Sequence, residues 1–319
     1  MKKKFIVVGI VIVILIGIAL IPVGGVEPTE KTPGKQEVKP LNLEKYSGDS
    51  PGRPLDMLFI HHSCGGQLLA PVGNDIGQNC IYKSHPNGGG LRDMLASQGY
   101  RVHEVSYGSE LGENTDLFDW LPKFSDKMGK VLSASGPDTY YSDDTKNDIV
   151  AFKSCYPNNL FIAEGAEPGN PQGPELTVAN AKATYRELLN SFAKHTDVLF
   201  VAVTAPPLLG SQPAEPLLKH LARRVLGKTK DVANSGLLAR QFNNWMKAEN
   251  GWLKNYPHKN VVVFDYYDVL TGNGAMDFLK YPSGPNANDN HPSQAGNAKA
   301  AAAYVPFLNR AVRRAGLVD

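Results

Sequence analysis

The sequence predicts an α/β protein, with a mostly parallel five-stranded sheet covered by helices on both faces. Two observations carry that expectation. Five compact apolar segments rich in β-branched residues read as strands buried on both sides rather than as half-exposed alternating ones. Segments of helical period separate them, and that alternation of strand and helix favours a parallel sheet.

The expected strands span residues 55–61, 100–106, 148–153, 197–204 and 260–266. The first expected helix covers 90–97 and is closed by Gly99. A second covers 117–132, where Pro122 leaves the start undefined because proline lacks the N–H that a helix interior needs. The third, 177–194, follows Gly173 and Pro174 and sets Leu188, Leu189 and Phe192 at helical spacing. Residues 215–254 hold one or two more, with Gly236 as an interruption and Phe242, Trp245 and Met246 as an apolar face. The last, 293–315, combines alanine propensity with apolar residues three and four apart. Two long irregular stretches, 67–89 and 156–175, follow strands and are placed to wall a cleft.

Ahead of this domain, residues 5–21 form an uncharged apolar run of 17 residues behind Lys2, Lys3 and Lys4. The run lies at the short edge of a membrane-spanning helix and exceeds most signal-peptide cores, so residues 1–24 read as a signal-anchor or a cleaved signal peptide. The leading lysines keep that end in the cytoplasm and place the domain outside, anchored to the membrane or, after cleavage, secreted. Residues 25–54, rich in Pro, Lys, Glu, Gly and Ser, read as a flexible linker, leaving 55–319 as the domain. The net charge is +2, or about −1 without the three leading lysines. So neutral a domain lacks the basic footprint of a nucleic-acid binder. The three cysteines form no Cys-x-x-Cys element that would argue for a structural zinc. In an oxidising compartment one pair bonds: Cys64 with Cys80 on nearness in sequence, or Cys64 with Cys155 if both lie at strand ends over one site. Three reduced thiols are the remaining alternative.

In open parallel sheets ligands bind beyond the carboxyl ends of the strands. That rim collects His61, His62, Ser63, Tyr107, Gly108, Ser154, Cys155, Thr204 and Asp268. Ser63 ends an apolar strand and precedes Cys64, Gly65 and Gly66, small residues that let a substrate carbonyl approach a hydroxyl and backbone N–H groups. A serine at such a junction also serves as a helix cap. His291 follows a Gly/Asn/Asp-rich loop and precedes Pro292 and Ser293, a helix entry, so it is placed to take the proton an attacking serine loses. Asp289 orients that histidine, or is a turn residue; Asp268 is the reserve acid. Only one of His61 and His62 faces the cleft if the strand stays regular. Lys153 reads as a partly buried lysine paired with an acid, ahead of a charged substrate contact. Cys64 as nucleophile, or zinc held by His61, Asp289 and His291, are competing readings without a supporting local motif.

With these residues in place, the chain resembles the SGNH/GDSL hydrolase superfamily. His61-His62-Ser63 stands where the family has Gly-Asp-Ser, and His291 matches the histidine of its Asp-x-x-His block, with Asn288 at the acid's position and Asp289 as the nearest acid. Gly108 matches the oxyanion-hole glycine. Residues 152–159 replace Gly-x-Asn-Asp, with Ser154 or Asn158 as the donor. The likeness spans residues 55–317 in order of elements, with motif identity at the two ends. It implies a three-layer α/β/α sandwich of flavodoxin-like type and an extracytoplasmic serine esterase. Ser63, His291 and Asp289 would carry the chemistry, and Gly108, Ser154, Asn158 and His62 would bind the oxyanion or the substrate. The substrate would be a small-molecule or glycan ester, with acyl or acetyl groups on carbohydrate among the candidates, and no cofactor or metal is called for. An acyltransferase using the same pair and a noncatalytic carbohydrate-binding or scaffold protein are the rivals. The oligomeric state is open.

Overall fold

A computed structural model describes residues 38–210, 232–283 and 289–319. The apolar run at 5–21, the segment 215–231 and Asn288 lie outside the described residues. Among the described residues no helix is long and apolar enough to cross a membrane.

All five expected strands form, as β1 (Leu55–Ile60), β2 (Tyr100–Val105), β3 (Ile149–Lys153), β4 (Leu199–Val203) and β5 (Val261–Phe264). They pair in parallel in the order β2-β1-β3-β4-β5. Every residue of β1 is buried, because side chains on both faces of a covered sheet meet a helical layer. Met57 and Phe59 pack on one face with Leu91, Leu95, Ala300, Tyr304 and Leu308. Leu58 and Ile60 pack on the other with Trp120, Phe124, Leu188, Phe192 and Phe242. The two apolar faces make the molecule a three-layer α/β/α sandwich.

The helices are α1 (Ser63–Leu69), α2 (Leu91–Ser97), α3 (Trp120–Asp126), α4 (Met128–Ser133), α5 (Val178–Phe192), α6 (Val232–Lys247), α7 (Tyr266–Thr271) and α8 (Gln294–Ala315). The helix expected over 117–132 is divided. A 3₁₀ turn at Leu117–Asp119, closed by reciprocal bonds between Asp116 and Asp119, leads into α3, and Lys127 separates α3 from α4. Pro122 is the third residue of α3, where its missing N–H has no intrahelical acceptor anyway. Thr177 caps α5 by accepting the Asn180 N–H at 3.2 Å. Thr177→Ala is expected to destabilise the fold by about 1 kcal/mol, read as a lower urea midpoint at unchanged slope.

Several expectations are corrected. Gly236 does not interrupt a helix: it lies inside α6, where a Cβ would come within 2.6 Å of the Phe278 ring, so the glycine serves close packing. Tyr266, Tyr267 and Asp268 do not end a strand but open α7, because the Asp265 side chain accepts the Asp268 N–H and caps a helix there. The irregular stretch at 67–89 contains the end of α1 and a hairpin, Ile76–Gln78 with Ile81–Ser84, turned by Asn79 and Cys80 at φ 52° and 63°. Within the stretch 25–54 expected as a linker, residues from Val38 onward belong to the compact unit. Its carbonyls at Ser47, Gly48, Asp49 and Ser50 accept from Asn309 and Arg313 of α8.

Candidate active site

The strand order reverses direction between β1 and β3, and such a switch point leaves a crevice at the carboxyl ends of those two strands. Ser63 follows β1 and Cys155 follows β3, so the chain turns expose both at that crevice. Ser63 is the first residue of α1, not its cap. The preceding His62 occupies the cap position without a side-chain bond to the helix, which leaves the Ser63 hydroxyl free.

That hydroxyl donates to His291 Nε2 at 2.8 Å. His291 Nδ1–H in turn donates to Asp289 Oδ1 at 2.6 Å. The tautomer follows from the partners: with the proton on Nδ1, Nε2 presents its lone pair to the serine. Asp289 Oδ1 also accepts the His291 backbone N–H at 3.1 Å, and Oδ2 accepts from Ser283 Oγ at 2.8 Å. The turn role and the orienting role of Asp289 are thus one geometry. Burial pushes the Asp289 carboxyl up, but the bonds from His291 and Ser283 outweigh it and hold the group below its ordinary value.

The loop carrying this pair is pinned from both sides. Ser283 N–H donates to the His291 carbonyl at 3.1 Å, and Ser293 N–H to the Tyr281 carbonyl at 2.7 Å. Asn290 Oδ1 accepts the Leu209 N–H at 2.8 Å, while Ser293 caps α8. The Tyr156 ring meets His291 edge-on, centroids 5.4 Å apart. Ser283 and Tyr156 were not foreseen, because neither stands at a spacing that ties it to the histidine before the chain folds.

The residues expected to supply oxyanion donors have other partners. Gly108 N–H donates to Glu113 Oε2 at 2.7 Å, and the glycine is needed at φ 76° beside Asn79, whose Nδ2 would lie 2.6 Å from a Cβ. Asn158 Oδ1 accepts the Leu117 N–H and its Nδ2 donates to Asp116 and the Cys155 carbonyl, so it ties two loops together. Ser154 Oγ accepts from Trp120 Nε1 at 2.8 Å and is buried. Gly65 and Gly66 answer packing rather than substrate approach. A Cβ on the first would lie 2.4 Å from His61, and on the second 1.9 Å from the Cys80 carbonyl oxygen at the hairpin tip.

The two histidines beside the nucleophile diverge. His61 turns inward, with Nδ1 on the His62 carbonyl and Nε2 on Glu104, which also pairs with Arg92. It is therefore apart from Asp289 and His291, and among the described residues no cluster of His, Cys, Asp and Glu is arranged to hold a metal ion. His62 reaches the rim, donating from Nε2 to the Gly112 carbonyl at 2.7 Å and stacking on Tyr107 at 3.5 Å. Burial lowers the pKa of its ring. Asp268 cannot serve as the reserve acid, because Arg240 and Lys247 of α6 take both carboxylate oxygens. Lys153 is fully buried rather than partly so, and its partners are the Ser154 carbonyl and Cys155 Sγ rather than an acid. All three cysteines are free thiols, so neither expected disulfide is present.

No protein-family model matches the chain, and no curated protein matches it either. Among solved structures it is similar to the acetylxylan esterase Axe2 from Geobacillus stearothermophilus, at 14% identity and a TM-score of 0.40, over 84% of this chain and 96% of that one. It is also similar to a Corynascus thermopiles (Myceliophthora fergusii) carbohydrate esterase family 2 enzyme with a carbohydrate-binding domain. There the identity is 14% and the TM-score 0.37, over 83% of this chain and 68% of that one. At such distance these likenesses bear on neither substrate nor mechanism.

Proposed function

We propose that this chain is a serine esterase, a divergent relative of the SGNH hydrolases. One observation carries the reading: the continuous hydrogen-bond chain from Ser63 through His291 to Asp289. A serine hydroxyl becomes a competent nucleophile when a positioned base takes its proton. In this scheme Ser63 attacks the ester carbonyl, His291 receives the proton and returns it to the leaving alcohol, and Asp289 stabilises the imidazolium. Water then repeats the sequence to release the acid. In this scheme the first-turn N–H of Ser63, which has no intrahelical acceptor, donates to the developing oxyanion. A second donor from Gly108 requires its N–H to leave Glu113.

The substrate class proposed is an acyl or acetyl ester on carbohydrate. It is supported by Tyr107, which is 40% exposed and offers an aromatic surface at the rim while its other side stacks on His62. A location outside the cytoplasm, by anchor or by export, belongs to the same proposal and rests on the apolar run at 5–21 and the lysines before it.

The test is product release from a panel of acetylated sugars and simple esters by full-length wild type and Ser63→Ala, with an organophosphorus label identifying the reactive serine. Wild-type turnover with label on Ser63 and none in the variant supports the reading; equal rates in both sink it. The engagement of Gly108 and Asn158 favours one rival, a noncatalytic carbohydrate binder. Glycan binding untouched by Ser63→Ala, with no turnover, would establish that rival. If acyl transfer to an added sugar exceeds release of free acid, the protein is an acyltransferase.

A further inference from the structure

Three side chains that the proposed hydrolysis does not use converge beside the nucleophile. Lys153, the last residue of β3, is fully buried, and its Nζ donates to the Ser154 carbonyl at 3.0 Å and to Cys155 Sγ at 3.6 Å. Neither partner is a carboxylate, so the group in contact that can become the counter-anion of a buried ammonium is the Cys155 sulfur. The same sulfur accepts from the Cys64 thiol and from the Cys64 backbone N–H. It is half-buried and lies 3.8 Å from Ser63 Oγ. The Cys64 hydrogen bond foremost, and then Lys153, hold the Cys155 thiol well below its ordinary range, whereas burial pushes Cys64 well above it.

We propose that Cys155 is an oxidant-reactive thiolate site for small hydroperoxides, with Cys64 as its resolving thiol. The thiolate attacks one oxygen of the peroxide: an S–O bond forms, the O–O bond breaks, and the departing oxygen takes a proton to leave as water or an alcohol. The sulfur is oxidised by two electrons to a sulfenic acid and the peroxide is reduced. Cys64 then gives up its proton and attacks that sulfur, so that an S–S bond forms, the S–O bond breaks and the hydroxide leaves as water. A disulfide requires the sulfurs to close to about 2 Å. Cys64 directly follows Ser63 in the first turn of α1, so the closure displaces the serine from His291. As regulation of Ser63 this rests on the esterase reading; the sulfur chemistry itself does not.

The test uses the full-length reduced protein. At pH 6, iodoacetamide followed by peptide mass spectrometry is expected to alkylate Cys155 about tenfold or more faster than Cys80, since an ordinary thiol is almost wholly protonated there. Hydrogen peroxide is expected to yield a Cys64–Cys155 cross-linked peptide that dithiothreitol reverses, and in Cys64→Ser to stop at a sulfenic acid on Cys155 that dimedone captures. Lys153→Met should slow alkylation at Cys155. Because the wild-type measurements need no variant to fold, they decide alone: alkylation of Cys155 no faster than that of Cys80, or no Cys155 oxidation, overturns the proposal. Ester turnover before and after peroxide separates the two readings. Reversible loss supports regulation, turnover unchanged by a formed cross-link overturns the regulatory part, and absence of turnover in every state defeats the esterase reading while the thiolate result stands.

Discussion

Replacing His291 with alanine is expected to lower ester turnover by on the order of 10⁴- to 10⁶-fold, as loss of the base in a serine site does. Ser63 then keeps its proton, because no other base accepts from its hydroxyl among the described residues; the Cys155 sulfur lies 3.8 Å from that oxygen. Asp289→Asn should cost less, roughly 10²- to 10⁴-fold, by weakening the imidazolium and the ring's tautomer. The difference arises from exposure. The Asp289 side chain is 52% exposed, so water shares in solvating the charge that a buried acid would carry alone. Steady-state kinetics on the best ester of the panel, with circular dichroism showing an intact fold, decides the matter. A His291→Ala enzyme within tenfold of wild type would mean that the hydrogen-bond chain is not the route of proton transfer.

Phe152→Ala should destabilise the domain by about 3–5 kcal/mol, the range for deleting a buried aromatic ring that its neighbours cannot replace. Phe152 is 1% exposed in the middle of β3 and packs against Phe124 at 4.9 Å, Trp120 at 5.0 Å, Phe192 at 5.9 Å and Tyr185 at 6.5 Å. These rings come from α3 and α5, so one deletion loosens the seat of two helices on the sheet. The loss would be a large share of the roughly 5–15 kcal/mol by which domains are stable. Urea unfolding followed by tryptophan fluorescence measures it, and a shift below about 1 kcal/mol would show that the layer collapses around the cavity.

The strands were legible because a strand covered on both faces leaves a run of apolar residues that local reading detects. The short elements were not. Helix α1 begins at the nucleophile with only two apolar side chains, Leu68 and Leu69, at its end, and it forms because the sheet and α8 cover it. Gly236 looked like a break because its composition matches one, while its purpose lies in Phe278, forty-two residues away in sequence. Likewise Ser283 and Tyr156 reach the histidine only after the loops have been laid over the rim.

By itself the sequence determined the parallel α/β class, the strand positions, and the pairing of Ser63 with His291, because hydrophobic period and strand-end chemistry are local properties of the chain. The tertiary structure decided which acid meets the histidine, since Asp268 sits at no worse a rim position than Asp289 until Arg240 and Lys247 claim it. It also decided that the expected donors Gly108 and Asn158 are tied to Glu113 and to neighbouring loops, and that Lys153 finds a cysteine instead of a carboxylate. Hydrogen bonds and ion pairs between distant segments are settled by which groups the packed layers bring within about 3 Å, and no local pattern encodes that choice.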